Sequence, residues 1–182
     1  MNKDQFNKKL INYIANYSIG TSTLRNQGAP GVIEETRNYL KNLNLSDFFI
    51  ALKSEKTYTN YLNKHSIKLM NKYPGAAKGN FGAARKGLNI YFRNILYHLN
   101  LVDNKKQFRN YEDFNEKIKL LEIPLDKYTS KEIKKGTNLI WPSIRKLDAK
   151  TNIAFQLEAN KIAKKENIAR VNLDIKWWRD GN

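Results

Sequence analysis

Apolar residues recur every three or four positions along most of the chain, the spacing that places side chains on one face of an α-helix. Residues 6–17, 32–43, 58–69 and 153–165 each show this pattern, and glycine, proline and serine residues interrupt it between them. The pattern predicts an all-α or mostly α fold, a compact bundle of seven or eight helices with one or two lobes. We expect residues 1–182 to form a single helical domain.

Three segments depart from this average pattern. Residues 81–101 are apolar on almost every side, so we expect them to form the central helix. The sequence ARVNLDIKWW at residues 169–178 alternates between apolar and polar positions and predicts one short β-type segment near the C-terminus. The charged stretch 102–119 is interpreted as an additional helix or a surface excursion.

Positive charge dominates the composition. Lysine and arginine number 33 against 17 aspartates and glutamates, which gives a net charge of +16 spread from Lys3 to Arg179. Spread cations suit a polyanion through counterion release, so we expect nucleic acid as the partner, with double-stranded DNA favoured. We expect no membrane partner, because no basic amphipathic helix is evident and no apolar stretch approaches the roughly 20 residues that span a bilayer. Without a secretion signal, the protein is expected to be cytoplasmic.

The residue types also limit the chemistry. No cysteine is present, which excludes disulfides, a thiolate nucleophile and thiolate-bound metals. His65 and His98 are the only histidines, too few for an ordinary zinc site. We therefore predict no metal site and no cofactor.

Two residues have a sequence context that fits covalent chemistry on DNA. Lys86 follows small residues at the start of the central helix, where the helix dipole and the neighbouring Arg85 disfavour the charged form of an amine. A neutral amine can attack the anomeric carbon of a nucleotide. Asp126 follows Pro124 at a predicted helix start, where backbone N–H groups hold a carboxylate in a fixed orientation. Such a carboxylate can stabilise positive charge on the sugar as the base departs.

The same residues resemble the helix-hairpin-helix DNA glycosylases, in particular their 8-oxoguanine DNA glycosylase-like branch. FGAARKGLN is similar to the family's hairpin, Pro-Gly-x-Gly-x-Lys, with Gly82 at the first glycine and Lys86 at the lysine nucleophile. IPLDKYT is similar to the family's later segment, apolar-Pro-Val-Asp-x-His-Val, with Asp126 at the catalytic aspartate. The separation of the two motifs implies that residues 102–119 are an insertion.

The resemblance implies a DNA glycosylase, with or without lyase activity, that grips DNA across a cleft between two lobes and extrudes the target base. It assigns catalysis to Lys86 and Asp126. The residues expected to contact DNA are Gly82, Arg85, Arg93, Arg25, Asn26 and Gln27. The candidates for stacking on the extruded base are Trp141, Trp177 and Trp178.

Two other functions are open at this point. A helical DNA- or RNA-binding protein without catalytic activity would use its cations for phosphate contacts alone, with Lys86 solvated and Asp126 a simple helix cap. A Mg²⁺-dependent nuclease is indicated by Asp174 and Lys176, which match the half-signature of PD-(D/E)xK enzymes, with Asp148 as the second acid.

Overall fold

The computed structural model describes residues 3–102 and 111–178. In these ranges the secondary structure consists of ten α-helices and one 3-10 turn, and no strand is present. The prediction of an all-α fold is therefore confirmed. The elements in chain order are α1 (Lys3–Ser18), α2 (Thr21–Leu24), α3 (Val32–Lys41), α4 (Leu45–Ala51), α5 (Glu55–Lys72), the 3-10 turn (Gly75–Ala77), α6 (Phe81–Val102), α7 (Tyr111–Leu120), α8 (Lys127–Ile133), α9 (Ala149–Lys165) and α10 (Asn172–Lys176).

The helices outnumber the predicted seven or eight because the apolar pattern does not reveal two short ones, α2 and α10. The β-type segment predicted for residues 169–178 is wrong, since α10 lies there. Val171 and Leu173 are buried, but Ile175 is 51% exposed. A lone strand would leave its N–H and C=O groups unpaired, whereas the helix pairs them locally, as from the Trp177 N–H to the Leu173 carbonyl at 2.9 Å.

The charged stretch 102–119 contains most of α7, so the additional helix is present. Residues 103–110 of this stretch lie outside the described residues. None of the helices in the described ranges combines the length and apolar character needed to cross a bilayer.

Two hydrophobic clusters form the interior of the described chain. The first surrounds α6, whose Leu88, Tyr91, Phe92 and Leu96 are fully buried, and it includes side chains from α1 to α5 and from α7. The helix that packs most extensively against α6 is α5. The second cluster surrounds Phe155 of α9 and is built from residues 123–177. The prediction that residues 81–101 form a central helix is confirmed for the first cluster.

The start of α6 packs closely against the segment 134–148, which contains turns but no helix. Gly82, in the first turn of α6, allows this contact, because a Cβ at this position would lie 2.0 Å from the carbonyl oxygen of Ile144. Asn80 caps the same end of α6 by accepting a hydrogen bond from the Ala83 N–H at 2.9 Å. These contacts hold the C-terminal part of the chain against the turns of α6 that carry Lys86.

Candidate active site

One face of α6 carries polar side chains where the helix meets the C-terminal part of the chain. Four residues on this face are spaced by three or four positions, which places them on one side of a helix. Each contacts a partner from residues 122–174, the region that also builds the second cluster. We call these eight side chains the polar seam, and the contacts are Lys86 with Asp126, Asn89 with Glu122, Arg93 with Asp174, and Tyr97 with Asn172.

Lys86 and Asp126 meet in the polar seam although they lie 40 residues apart in the chain. The Lys86 Nζ donates a hydrogen bond to Asp126 Oδ2 at 3.2 Å. The lysine side chain is 7% exposed and the aspartate side chain 26% exposed, so the seam reaches the protein surface at the carboxylate. Lys86 lies in the second turn of α6 because the helix begins at Phe81.

Asp126 is the N-cap of α8 and uses its two carboxylate oxygens differently. Oδ1 accepts hydrogen bonds from the backbone N–H groups of Tyr128 at 2.8 Å and Thr129 at 3.0 Å. The Thr129 hydroxyl in turn accepts one from the Asp126 N–H at 2.9 Å. This capping box holds the carboxylate in a fixed orientation, as predicted, and leaves Oδ2 for the contact with Lys86.

A buried ion pair joins α6 to the chain just before Asp126. The Nε and Nη2 of Arg85 donate to Oε2 and Oε1 of Glu122 at 2.8 and 2.6 Å, and Nη1 donates to Asn63 and Ser66. Arg85 is 3% exposed and directs its donors at these protein groups, while its predicted DNA contact stays a prediction. Successive helical residues point about 100° apart, which directs the arginine towards α5 and the lysine towards Asp126.

Glu122 is the centre of this buried network and was not predicted from the sequence. Its Oε2 also accepts hydrogen bonds from the side-chain amides of Asn89 at 3.3 Å and Asn152 at 3.2 Å. Burial raises the pKa of Glu122, but Arg85, assisted by Arg170 and Asn152, outweighs burial and holds the pKa below its ordinary value. The available sequence signal was an acidic residue inside the apolar run LLEIPL, since a charge in such a run is usually paired.

Arg93 and Asp174 form a further ion pair in the polar seam. Each side chain is 12% exposed, and the guanidinium is directed at the carboxylate, while the predicted DNA contact of Arg93 stays a prediction. Burial raises the pKa of Asp174; Arg93 and Lys86 oppose this effect, and the Asp126 carboxylate adds to it. The two ion pairs of the seam are therefore electrostatically coupled.

The residues that suggested a nuclease have other partners in the described part of the chain. Asp174 and Lys176 lie on a helix instead of a strand, and they pair separately with Arg93 and Glu166. Asp148 caps α9, where it accepts a backbone hydrogen bond at 2.7 Å. Within the described ranges, no three or more histidine, aspartate or glutamate side chains are arranged to hold a metal ion.

The remaining predicted DNA contacts divide between the interior and the surface. Gly82 is buried in its contact with segment 134–148, and Gln27 is 8% exposed, with its backbone carbonyl accepting a hydrogen bond from Asn80. Packing against other segments covers both residues, and their predicted DNA contacts stay predictions. Arg25 and Asn26 are exposed and line a pocket of about 530 Å³.

The three predicted stacking residues differ in exposure. Trp141 packs edge-to-face against Phe155 with ring centroids 5.5 Å apart, and Trp177 also packs against the second cluster. Trp178 is 68% exposed and is the one of the three that presents most of its surface to solvent. Tyr128, which was not predicted, is 66% exposed two residues after Asp126.

Comparisons of the chain with protein-family models, curated proteins and solved structures found no match. The site is interpreted from the geometry of this chain. Among the residues predicted to act in catalysis or DNA contact, Lys86 and Asp126 are the two that the structure joins by an ion pair.

Proposed function

We propose that the protein is a DNA base-excision enzyme, a DNA glycosylase that extrudes a modified base from double-stranded DNA and removes it through attack by Lys86. The observation that carries this proposal is the 3.2 Å contact between Lys86 Nζ and Asp126 Oδ2. An amine and a carboxylate are the two groups that the reaction requires at one sugar. The net charge of +16 supports a polyanionic substrate.

The proposed reaction begins with proton transfer from Lys86 to Asp126, because an ammonium group has no lone pair with which to attack carbon. Asp126 Oδ2 accepts that proton, and the neutral amine forms a bond to C1′ of the extruded nucleoside as the bond from C1′ to the base breaks. The base leaves with the bonding electron pair and takes the proton from Asp126. The C1′–O4′ bond then opens, O4′ receives a proton from the Lys86 nitrogen, and an iminium links Lys86 to C1′.

The surroundings of the pair support these steps. The capping box fixes Oδ1 of Asp126, so Oδ2 stays in position to accept the proton and to face the cationic sugar. The low exposure of Lys86 keeps bulk water from the amine and strengthens electrostatic contacts within the site. The greater exposure of Asp126 supplies access from the surface, next to the exposed ring of Tyr128.

Borohydride trapping tests this proposal, because borohydride reduces the iminium to a stable amine that joins protein and DNA. The full-length protein is incubated with a duplex that contains one 8-oxoguanine or one abasic site. We expect an adduct with the wild-type protein, its loss in Lys86→Gln, and its retention in Lys56→Gln, which removes an exposed lysine at the start of α5. No adduct on either duplex, or an adduct that survives Lys86→Gln, would refute base excision by Lys86.

A non-catalytic DNA-binding protein is the second candidate. The observation that favours it is the ion pair itself, since Lys86 and Asp126 neutralise each other and can serve stability alone. This function predicts DNA binding that weakens steeply with salt, without any covalent adduct. Base excision predicts an adduct that also forms in EDTA, because the proposed steps use no metal ion.

A further inference from the structure

We propose that Arg25, Asn26 and Arg145 form a binding pocket for a backbone phosphate of the DNA strand that carries the extruded nucleoside. This inference rests on the proposed function and adds an anchoring contact to it. It also assigns a role to Arg145, which the sequence pattern does not single out.

Cationic and polar side chains line the pocket, whose volume is about 530 Å³. It is lined by Arg25, Asn26 and Arg145 together with residues 24 and 28–33, so no carboxylate contributes among the described residues. Both arginines come from separate parts of the chain and converge on the same space. A guanidinium donates in a planar fork that matches two phosphate oxygens.

Arg25 and Arg145 are available for a ligand, whereas Arg85 and Arg93 are not. Arg85 and Arg93 are directed at Glu122 and Asp174. Arg25 and Arg145 are exposed, and neither forms an ion pair with a carboxylate in the described part of the chain. An exposed cation pays no burial penalty before it meets a phosphate, so these side chains are the ones suited to direct contact.

The loop that carries Arg25 is held in place before any ligand binds. Gln27 is buried, and Asn80 donates to its backbone carbonyl at 3.1 Å. Gly28 has a φ of +110°, and a Cβ there would lie 3.0 Å from the carbonyl oxygen of Ala76. The next helix, α3, begins at the pocket with no side-chain cap and with Glu34 and Glu35 in its first turn, so the positive charge of the pocket comes from the two arginines. A rigid loop loses little conformational entropy on binding.

The pocket lies beside the turns of α6 that carry Lys86. On one side, Gly82 packs against Ile144, the residue before Arg145. On the other side, a Cβ on Gly87 would lie 3.6 Å from a methyl group of Leu24, the residue before Arg25. Residues 82 and 87 span roughly 8 Å along a helix. The residues that precede both arginines therefore pack against the N-terminal turns of α6, which also carry Lys86.

Salt dependence of DNA binding tests the inference. Binding of the full-length protein to a duplex with a tetrahydrofuran abasic-site analogue is followed by fluorescence anisotropy over a series of salt concentrations. This analogue cannot form an iminium, so binding is measured without reaction. The test variant is Arg25→Gln with Arg145→Gln, and the control is Lys53→Gln with Lys56→Gln. The control removes two exposed charges, Lys53 just before α5 and Lys56 in its first turn, and Lys56 lies roughly 24 Å along that helix from its last residue, Lys72.

We expect the arginine double variant to reduce the slope of log K against log salt by about one unit for each phosphate that the two arginines neutralise, with the control near the wild-type slope. Equal slopes for the two double variants would refute the phosphate site. Borohydride trapping with saturating protein tests base excision independently of the phosphate site. An adduct with equal slopes would refute the phosphate site alone. A slope difference without a wild-type adduct would support the phosphate contact and refute base excision.

Discussion

Replacing Glu122 with glutamine keeps the size of the side chain and removes the negative charge at the centre of the buried network around Arg85. Glu122 accepts two hydrogen bonds from Arg85, at 2.6 and 2.8 Å, and one from each of Asn89 and Asn152. Arg85 is 3% exposed, so water cannot readily replace the missing carboxylate. The substitution therefore leaves a buried cation without its counter-charge.

The uncompensated charge sets the size of the effect, since removal of one partner of a buried ion pair costs about 3–5 kcal/mol. Loss of the hydrogen bonds from the side-chain amides of Asn89 and Asn152 destabilises the folded state by less. Asn89 and Asn152 each have a buried side-chain oxygen without a hydrogen-bond partner among the described residues, and these oxygens can accept from the new glutamine N–H groups. Because a domain is typically stable by about 5–15 kcal/mol, the expected loss is a large fraction of the total.

Urea unfolding followed by circular dichroism measures this loss. At a slope of about 2 kcal/mol per M, the midpoint for Glu122→Gln is expected to fall by about 1.5–2.5 M. Glu116→Gln is the matched control, because Glu116 forms an exposed pair with Lys119, and it should change stability by less than about 1 kcal/mol. An equally small loss for Glu122→Gln would refute the reasoning that Arg85 depends on this carboxylate.

The pH dependence of unfolding supplies a second test, made on the wild-type protein and Glu122→Gln. The pKa of Glu122 is lowered in the folded protein from its ordinary value of 4.5. The folded state therefore binds this proton less readily than the unfolded state, and the charged carboxylate contributes stability above pH 4.5 that is lost as the pH falls through the lowered pKa. The stability difference between wild type and Glu122→Gln should shrink on acidification below pH 4.5. A difference that stays constant there would contradict a lowered pKa of Glu122.

Two further substitutions test the support of the site. Asp126→Ala and Asp126→Ser both remove the counter-charge of Lys86, but only serine can cap α8, so Asp126→Ser should be about 1 kcal/mol more stable than Asp126→Ala. Asp126→Ser should still form far less borohydride adduct than wild type, and equal trapping by the two would argue against a catalytic carboxylate. Gly82→Ala should lower the thermal midpoint clearly, because its Cβ would meet the Ile144 carbonyl oxygen at 2.0 Å, whereas Gly20→Ala, with nothing within 4 Å of the added atom, should change it little. A midpoint for Gly82→Ala as high as that of the control would contradict the close approach of segment 134–148.

The sequence by itself determined the features that depend on neighbouring residues. Helical periodicity is a local property, and it indicated the all-α fold and the central position of α6 correctly. The capping function of Asp126 was also predictable, because its hydrogen bonds reach only two and three residues along the chain. The same local view failed at residues 169–178, where three alternating apolar positions did not distinguish a strand from the short helix α10.

Only the tertiary structure decided which charged groups face each other and which face solvent. Lys86 and Asp126 meet across 40 residues, and Arg85 reaches Glu122 across 37. Lys86 and Arg85 are adjacent in the sequence, yet one lies at the seam that opens to the surface and the other is buried beside α5. The physical reason is that a charge is stabilised by its solvent access and its partners. Both depend on which helices pack together, and a local sequence pattern does not specify that packing.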